Sequence, residues 1–229
     1  MAETIPIFPL GTVLLPGASL PLHIFEPRYR QLVADLISGE IADKQFGVIT
    51  IQPGWHQGSD EIERLHEIGC TAQLQQAQRL PGGRFDIVTS GVRRFRLLDA
   101  DDSSAPYLLG RVEWLPDSDV PSALGDHLPM LAAAAHKAHE RYCMVAWHRD
   151  DWLRPELNTE LGLLSNLLAA DCMLTTADRL LVLRECDPAR RLSLVCQMIN
   201  REAGILRLLR AVPPPLPDFS EFATRRTMN

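Results

Sequence analysis

Lysine, the residue that most nucleotide-handling and several hydrolytic sites need, occurs in this chain only as Lys44 and Lys137. A phosphate-cradling loop of the form G-x-x-x-x-G-K-[ST] requires a Gly-Lys pair, but Lys44 follows Asp43 and Lys137 follows His136. A Ser-Lys mechanism requires a desolvated lysine beside an activated serine, and neither lysine has such a context. Gly17-Ala18-Ser19-Leu20-Pro21 has the outline of a nucleophile elbow, yet Pro21 stands where the second glycine belongs and no helix is predicted to follow. His23 and Glu26 flank a strand-to-helix junction and have the types of an acid/base pair. The plainer expectation is that Glu26 favours the positive end of the coming helix and pairs with Arg30. His136, His139 and Cys143 fall at i, i+3, i+7, the spacing of one helical face, and in principle ligate a metal. A packed bundle face is the expectation, and no catalytic residue, metal or cofactor is assigned.

Composition narrows the classes further. With 229 residues, 46% of them hydrophobic and 23% charged, the chain can bury one large core or two modest ones. Five widely spaced cysteines without a C-x-x-C pair argue against a disulfide framework and a cysteine zinc site. The N-terminus lacks a basic region ahead of an apolar run, and no stretch of about 18 apolar residues occurs. The expectation is a cytoplasmic protein of no membrane. A net charge of −6 disfavours general nucleic-acid binding. Arg93, Arg94 and Arg96 form the one dense basic patch; a solvated strand face is the expectation, because no aromatic series interleaves with them as RNA contact would require. Trp55, in the turn-rich stretch Gln52 to Gly58, is either tucked against the fold or an exposed anchor.

These residues need elements to hold them. Leu20, Leu22 and Ile24 alternate with Pro21 and His23, and Phe46 to Ile51 is a short apolar run, so both read as strands. Thr71 to Leu80, the turn Pro81-Gly82-Gly83 and Arg84 to Thr89 read as a hairpin. Further strands are predicted at Arg93 to Leu98, with Phe95 and Leu97 on one face and Arg94 and Arg96 on the other, and at Leu108 to Trp114. Prolines 6, 9, 16 and 21 belong at strand ends, edges or bulges. Pro27 opens a helix whose stripe is Tyr29, Leu32, Val33, Leu36 and Ile37, and Gly39 stops it. The polar stretch Pro116 to Pro121 is the predicted junction between residues 1–118 and a helical part, 119–212. Helices are predicted over Ala123 to Trp147, over Glu156 to Ala169 with a stripe at Leu157, Leu161, Leu164 and Leu168, from a Thr176 cap to about Glu185, and from an Asp187 cap through Pro188 toward Leu209. A Pro-rich tail, 213–229, is expected to run extended.

The runs Ile5-Pro6-Ile7-Phe8-Pro9-Leu10, Val13 to Gly17 and Leu20 to Tyr29 resemble the opening of the Lon protease N-terminal substrate-recognition domain. Phe46-Gly47-Val48, Ile68 to Ala72 leading to the Pro81 to Arg84 turn, Gly91 to Arg96, Pro106-Tyr107 and Val112-Glu113 follow in the same order. The segment from Leu164 through Asp187-Pro188-Ala189-Arg190-Arg191-Leu192 resembles the helical part of that region. The resemblance implies an α+β fold: a partly open, PUA-like β-barrel with one packed helix, followed by a C-terminal α-helical bundle. It also implies a non-catalytic, stand-alone member that recognises unfolded or tagged polypeptides, linked to a protease or chaperone and able to self-associate. The alternatives are an RNA-binding module of the same barrel class and a hydrolase with an unrecognised site. The candidate binding surface is Phe25, Arg28, Tyr29, Trp55, Arg94 and Arg96.

Overall fold

Six strands form a single curved sheet in the first half of the chain: β1 (Glu3–Leu10), β2 (Ser19–Ile24), β3 (Gln45–Ile51), β4 (Leu65–Arg79), β5 (Phe85–Asp101) and β6 (Leu109–Trp114). The computed structural model describes residues 2–52, 62–146 and 152–209. The strand order is β2-β5-β4-β3-β1-β6, and β5 meets β6 again, so the sheet curls back on itself and leaves β2 outside the ring as an edge strand. This is a partly open barrel.

The two strands predicted at Arg84 to Thr89 and Arg93 to Leu98 are one long strand, β5. A bulge joins them: Cys70 faces Arg94 but Ala72 faces Gly91, so β5 carries an extra residue between these pairs. The inserted residue shifts the in-out alternation, and Arg94 and Phe95 are both buried. The expectation of Arg94 on a solvated face is corrected by that shift. Gly91 sits where the chain crosses closest, since a Cβ there would lie 2.1 Å from the Leu15 carbonyl oxygen. The preceding turn uses Gly82 at φ 77° and Gly83 at φ 74°, conformations that glycine adopts without steric cost.

Strand β1 carries Pro6 and Pro9, two of the prolines expected at strand ends, edges or bulges. It manages both by dividing its two edges: Glu3 to Pro6 pair with β6, whereas Ile7 to Leu10 pair in parallel with β3. The Ile7 N–H donates to the Leu108 carbonyl. Backbone N–H groups two residues apart point to the same side of a strand, so Pro9, with no N–H, stands where the β6 side of β1 runs out of ladder.

Helix α1 (Pro27–Ser38) starts at Pro27 and stops at Gly39, φ 86°. Four further helices, α2 (Leu128–Val145), α3 (Leu161–Asp171), α4 (Thr176–Arg184) and α5 (Pro188–Leu209), make up the second half. Helix α3 begins later than its hydrophobic pattern suggests, because the Glu160 carboxylate accepts from the Gly162 and Leu163 N–H groups and caps it there. Leu157 consequently lies outside the helix and is exposed, while Leu164 and Leu168 are buried. The α4 cap is Thr175, one residue before the expected Thr176. At α5 the Asp187 carboxylate accepts from Ala189 and Arg190, as the Asp-Pro pair predicts.

Alternate residues of the sheet serve two cores. Ile5, Ile7, Ile49, Phe95 and Val112 belong to a small cluster. Phe8, Val48, Cys70 and Ile87 belong to a larger one that also takes in Leu32 and Leu36 of α1 and Tyr142, Leu164, Leu192 and Val195 of the helical half. Residues on both sides of position 118 therefore share one hydrophobic cluster.

Candidate functional site

The barrel opens where β1 and β2 both present an edge. Among the described residues, the β6 side of β1 has no ladder partner beyond Ile7, and β2 pairs with β5 alone. Between them lies a slot of about 220 Å³ lined by Phe8, Leu10, Leu22, Ile24, Phe25 and Arg28, among others. Its apolar floor is fixed by the Tyr29 ring stacked on Phe8 with centroids 3.9 Å apart. Phe8 and Tyr29 are buried, but Phe25 is 62% exposed, an aromatic held out at the strand-to-helix junction.

Charged groups line the rim. The Arg28 Nε donates to the Glu26 carboxylate at 3.1 Å, and its guanidinium lies 4.5 Å from the centroid of the Tyr29 ring. The expected Glu26–Arg30 pair is thus replaced, and Arg30 instead donates to the Gly82 carbonyl in the β4–β5 turn. His23 does not engage Glu26 either: its Nδ1 is 2.6 Å from the Asp86 carboxylate. The Glu26–Arg28 ion pair and the His23–Asp86 hydrogen bond stand beside an apolar trough, which suits an extended segment with one apolar side chain and free backbone groups.

The arginine patch disperses. Arg93 stacks over the Trp114 ring at 3.3 Å, and Arg96 pairs with Glu67 at 3.1 Å. Arg94 is buried and bonds the Asp117 carboxylate and the carbonyls of Leu183 and Glu185. It shares Asp117 with Arg191, which is wholly buried and donates to Asp117, Ser165 Oγ and the carbonyls of Glu185 and Gly162. Two guanidiniums, one carboxylate and the ends of α3 and α4 form a clasp between barrel and helices. Sequence reasoning missed it, although one signal was present: Arg191 occupies a position on the stripe with Val195 and Met198, where a charged residue must find buried partners.

Of the candidate binding residues, the structure brings Phe25, Arg28 and Tyr29 together at the slot and separates Arg94 and Arg96 from it. Trp55 lies outside the described residues. In the helical half, His139 meets the Asp171 carboxylate rather than His136, with Cys143 alongside.

Residues 4–201 match the ATP-dependent protease La (LON) substrate-binding domain. The chain belongs to this family. Lon substrate-binding relatives include Lon protease 2 of Sorangium cellulosum, 29% identical over 217 residues, and a Lon protease of Roseiflexus castenholzii, 32% identical over 212 residues. These alignments cover 92% and 91% of this chain but 26% and 25% of the relatives, so the chain spans about a quarter of their length. The crystal structure of a Lon N-terminal domain protein from Xanthomonas campestris is similar with a TM-score of 0.59 and 26% identity, covering 92% of this chain and 99% of that one. The N-terminal domain of a Mycobacterium avium complex Lon protease, 18% identical with a TM-score of 0.58, shares the fold. Among the described residues, no helix of this Lon-type domain is long and apolar enough to cross a membrane.

Proposed function

We propose that this chain is a non-catalytic polypeptide-recognition module that seats an extended segment of an unfolded or tagged protein in the seam between β1 and β2. The observation that carries the reading is the slot itself: two strand edges that no described residue pairs on the side that lines it, an apolar floor, and the exposed Phe25 at its mouth. A peptide entering there gains backbone hydrogen bonds from the open edges and buries one apolar side chain against Phe8 and Tyr29. Partnership with a protease or chaperone in the cytoplasm follows from the same reading. RNA binding has less support, since Arg93, Arg94 and Arg96 are each engaged with an aromatic ring or a carboxylate.

Fluorescence anisotropy with labelled peptides from a denatured protein, without ATP, tests the proposal. Phe25→Ala and Arg28→Ala should each weaken binding by about tenfold, some 1.4 kcal/mol, with unchanged far-UV circular dichroism. Peptides N-methylated along the backbone should bind less well than their parents. Equal affinities for wild type and both variants, or no binding across a broad array, would overturn it.

A further inference from the structure

The helical half contains a second constellation that the peptide slot does not use. Near the C-terminal end of α2, His139 and Cys143 sit one turn apart, and Asp171 closes α3 opposite them. His139 Nε2 lies 2.7 Å from the Asp171 carboxylate and 3.6 Å from Cys143 Sγ, and the three ligand atoms are all within 4.8 Å of one another. His139 and Asp171 are buried and Cys143 is half-buried, so the group is enclosed yet reachable from one side. The Leu153 N–H donates to the same carboxylate at 3.1 Å, and the Trp152 ring stands edge-on to the imidazole at 6.1 Å.

The geometry points to a binding site for a divalent ion of the zinc class, held by His139 Nε2, Cys143 Sγ and the Asp171 carboxylate with water in the fourth position. Thiolate, imidazole and carboxylate together are a donor set that borderline ions such as Zn²⁺ and Co²⁺ take in tetrahedral coordination. Cys143 Sγ lies 3.6 Å from His139 Nε2 and 3.8 Å from Nδ1, so the thiol stands beside the ring and must turn toward the Nε2 lone pair to reach an ion there. The nitrogen-to-oxygen pair must open by about half an ångström as the ion replaces the proton that it shares. One thiolate and one carboxylate together match the charge of a divalent ion. On binding, the Cys143 thiol proton goes to solvent, and starting from the neutral Nε2–H tautomer the His139 Nε2 proton also leaves while Nδ1 takes one up, so one proton is released in all. The Leu153 N–H orients the carboxylate, as outer contacts do at metal sites.

Titrating Co²⁺ into the reduced, metal-free full chain tests the site. The expected result is one ion per chain, with the intense visible bands of four-coordinate cobalt and a near-ultraviolet thiolate charge-transfer band, both abolished by Zn²⁺ competition. Cys143→Ser should remove the charge-transfer band, whereas Cys186→Ser with Cys196→Ser should retain it. Zn²⁺ should also slow alkylation of Cys143 in the unmodified protein, read peptide by peptide by mass spectrometry, by at least about tenfold. That measurement needs no substitution and so stands if Cys143→Ser misfolds. The pale spectrum of six-coordinate cobalt, a charge-transfer band that survives in Cys143→Ser, or unchanged alkylation of Cys143 with Zn²⁺ present would each overturn the site.

Discussion

Arg191 shows how much of this molecule rests on single side chains. Its guanidinium is wholly buried and fully engaged, so removing it takes a donor from the buried Ser165 hydroxyl and the Gly162 carbonyl and leaves Asp117, a third exposed, to Arg94 alone. Arg191→Ala should therefore cost about 3–5 kcal/mol of unfolding free energy, as read by urea denaturation. Tyr107 gives a pH-dependent counterpart. Burial, and then its hydrogen bond to Asp35 in α1, push its hydroxyl up from 10 to about 12. The folded state thus keeps this proton where the unfolded chain has lost it, so the contribution is complete below pH 10 and disappears as pH rises from 10 to 12. Urea midpoints across that range should fall, and Tyr107→Phe should flatten part of the decline. It should not flatten all of it, because burial also raises Tyr142. At this scale the sequence was partly legible. Phe25, Arg28 and Tyr29 stood in a run whose resemblance marked them, but the arginine partners did not, since a pairing between residues 94, 117 and 191 leaves no local pattern.

Elements were more readable than residues, and the failures share a cause. Helix α1 could be read from Pro27 to Gly39 because start, stripe and stop are all local, although Ile37, expected on the stripe, is exposed while Tyr29, Leu32, Val33 and Leu36 are buried. The divided pairing of β1 and the continuity of β5 could not be read, since both depend on long-range pairings that divide an edge or insert a bulge. The bulge region is also intolerant of added volume. Gly91→Ala would drive a methyl group into the Leu15 carbonyl, and the expected loss is at least about 2 kcal/mol. Glu160→Ala, which removes two capping bonds from α3, should cost about 1 kcal/mol. Parallel urea titrations separate the two, with the glycine variant the less stable.

The whole molecule divides at Pro116 to Pro121 by composition, yet its core does not divide there. Phe8, Leu14 and Leu15 share a cluster with Leu164, Val182 and Leu192, and Asp117 holds Arg94 and Arg191 at once. A fragment of residues 1–118 should accordingly bind a hydrophobic dye and sediment as aggregates, and the full chain should unfold in one calorimetric transition. Two separable transitions would contradict a shared core.

The division of β1 between two distant strands carries a consequence for synthesis. Its C-terminal half can be matched once β3 has left the ribosome, but its N-terminal half waits for Leu109 to Val112, and the buried guanidinium of β5 waits until Leu183 and Glu185 arrive. The first strand of the sheet is thus sealed only once its sixth has been made, and a nascent chain shorter than this carries an open edge.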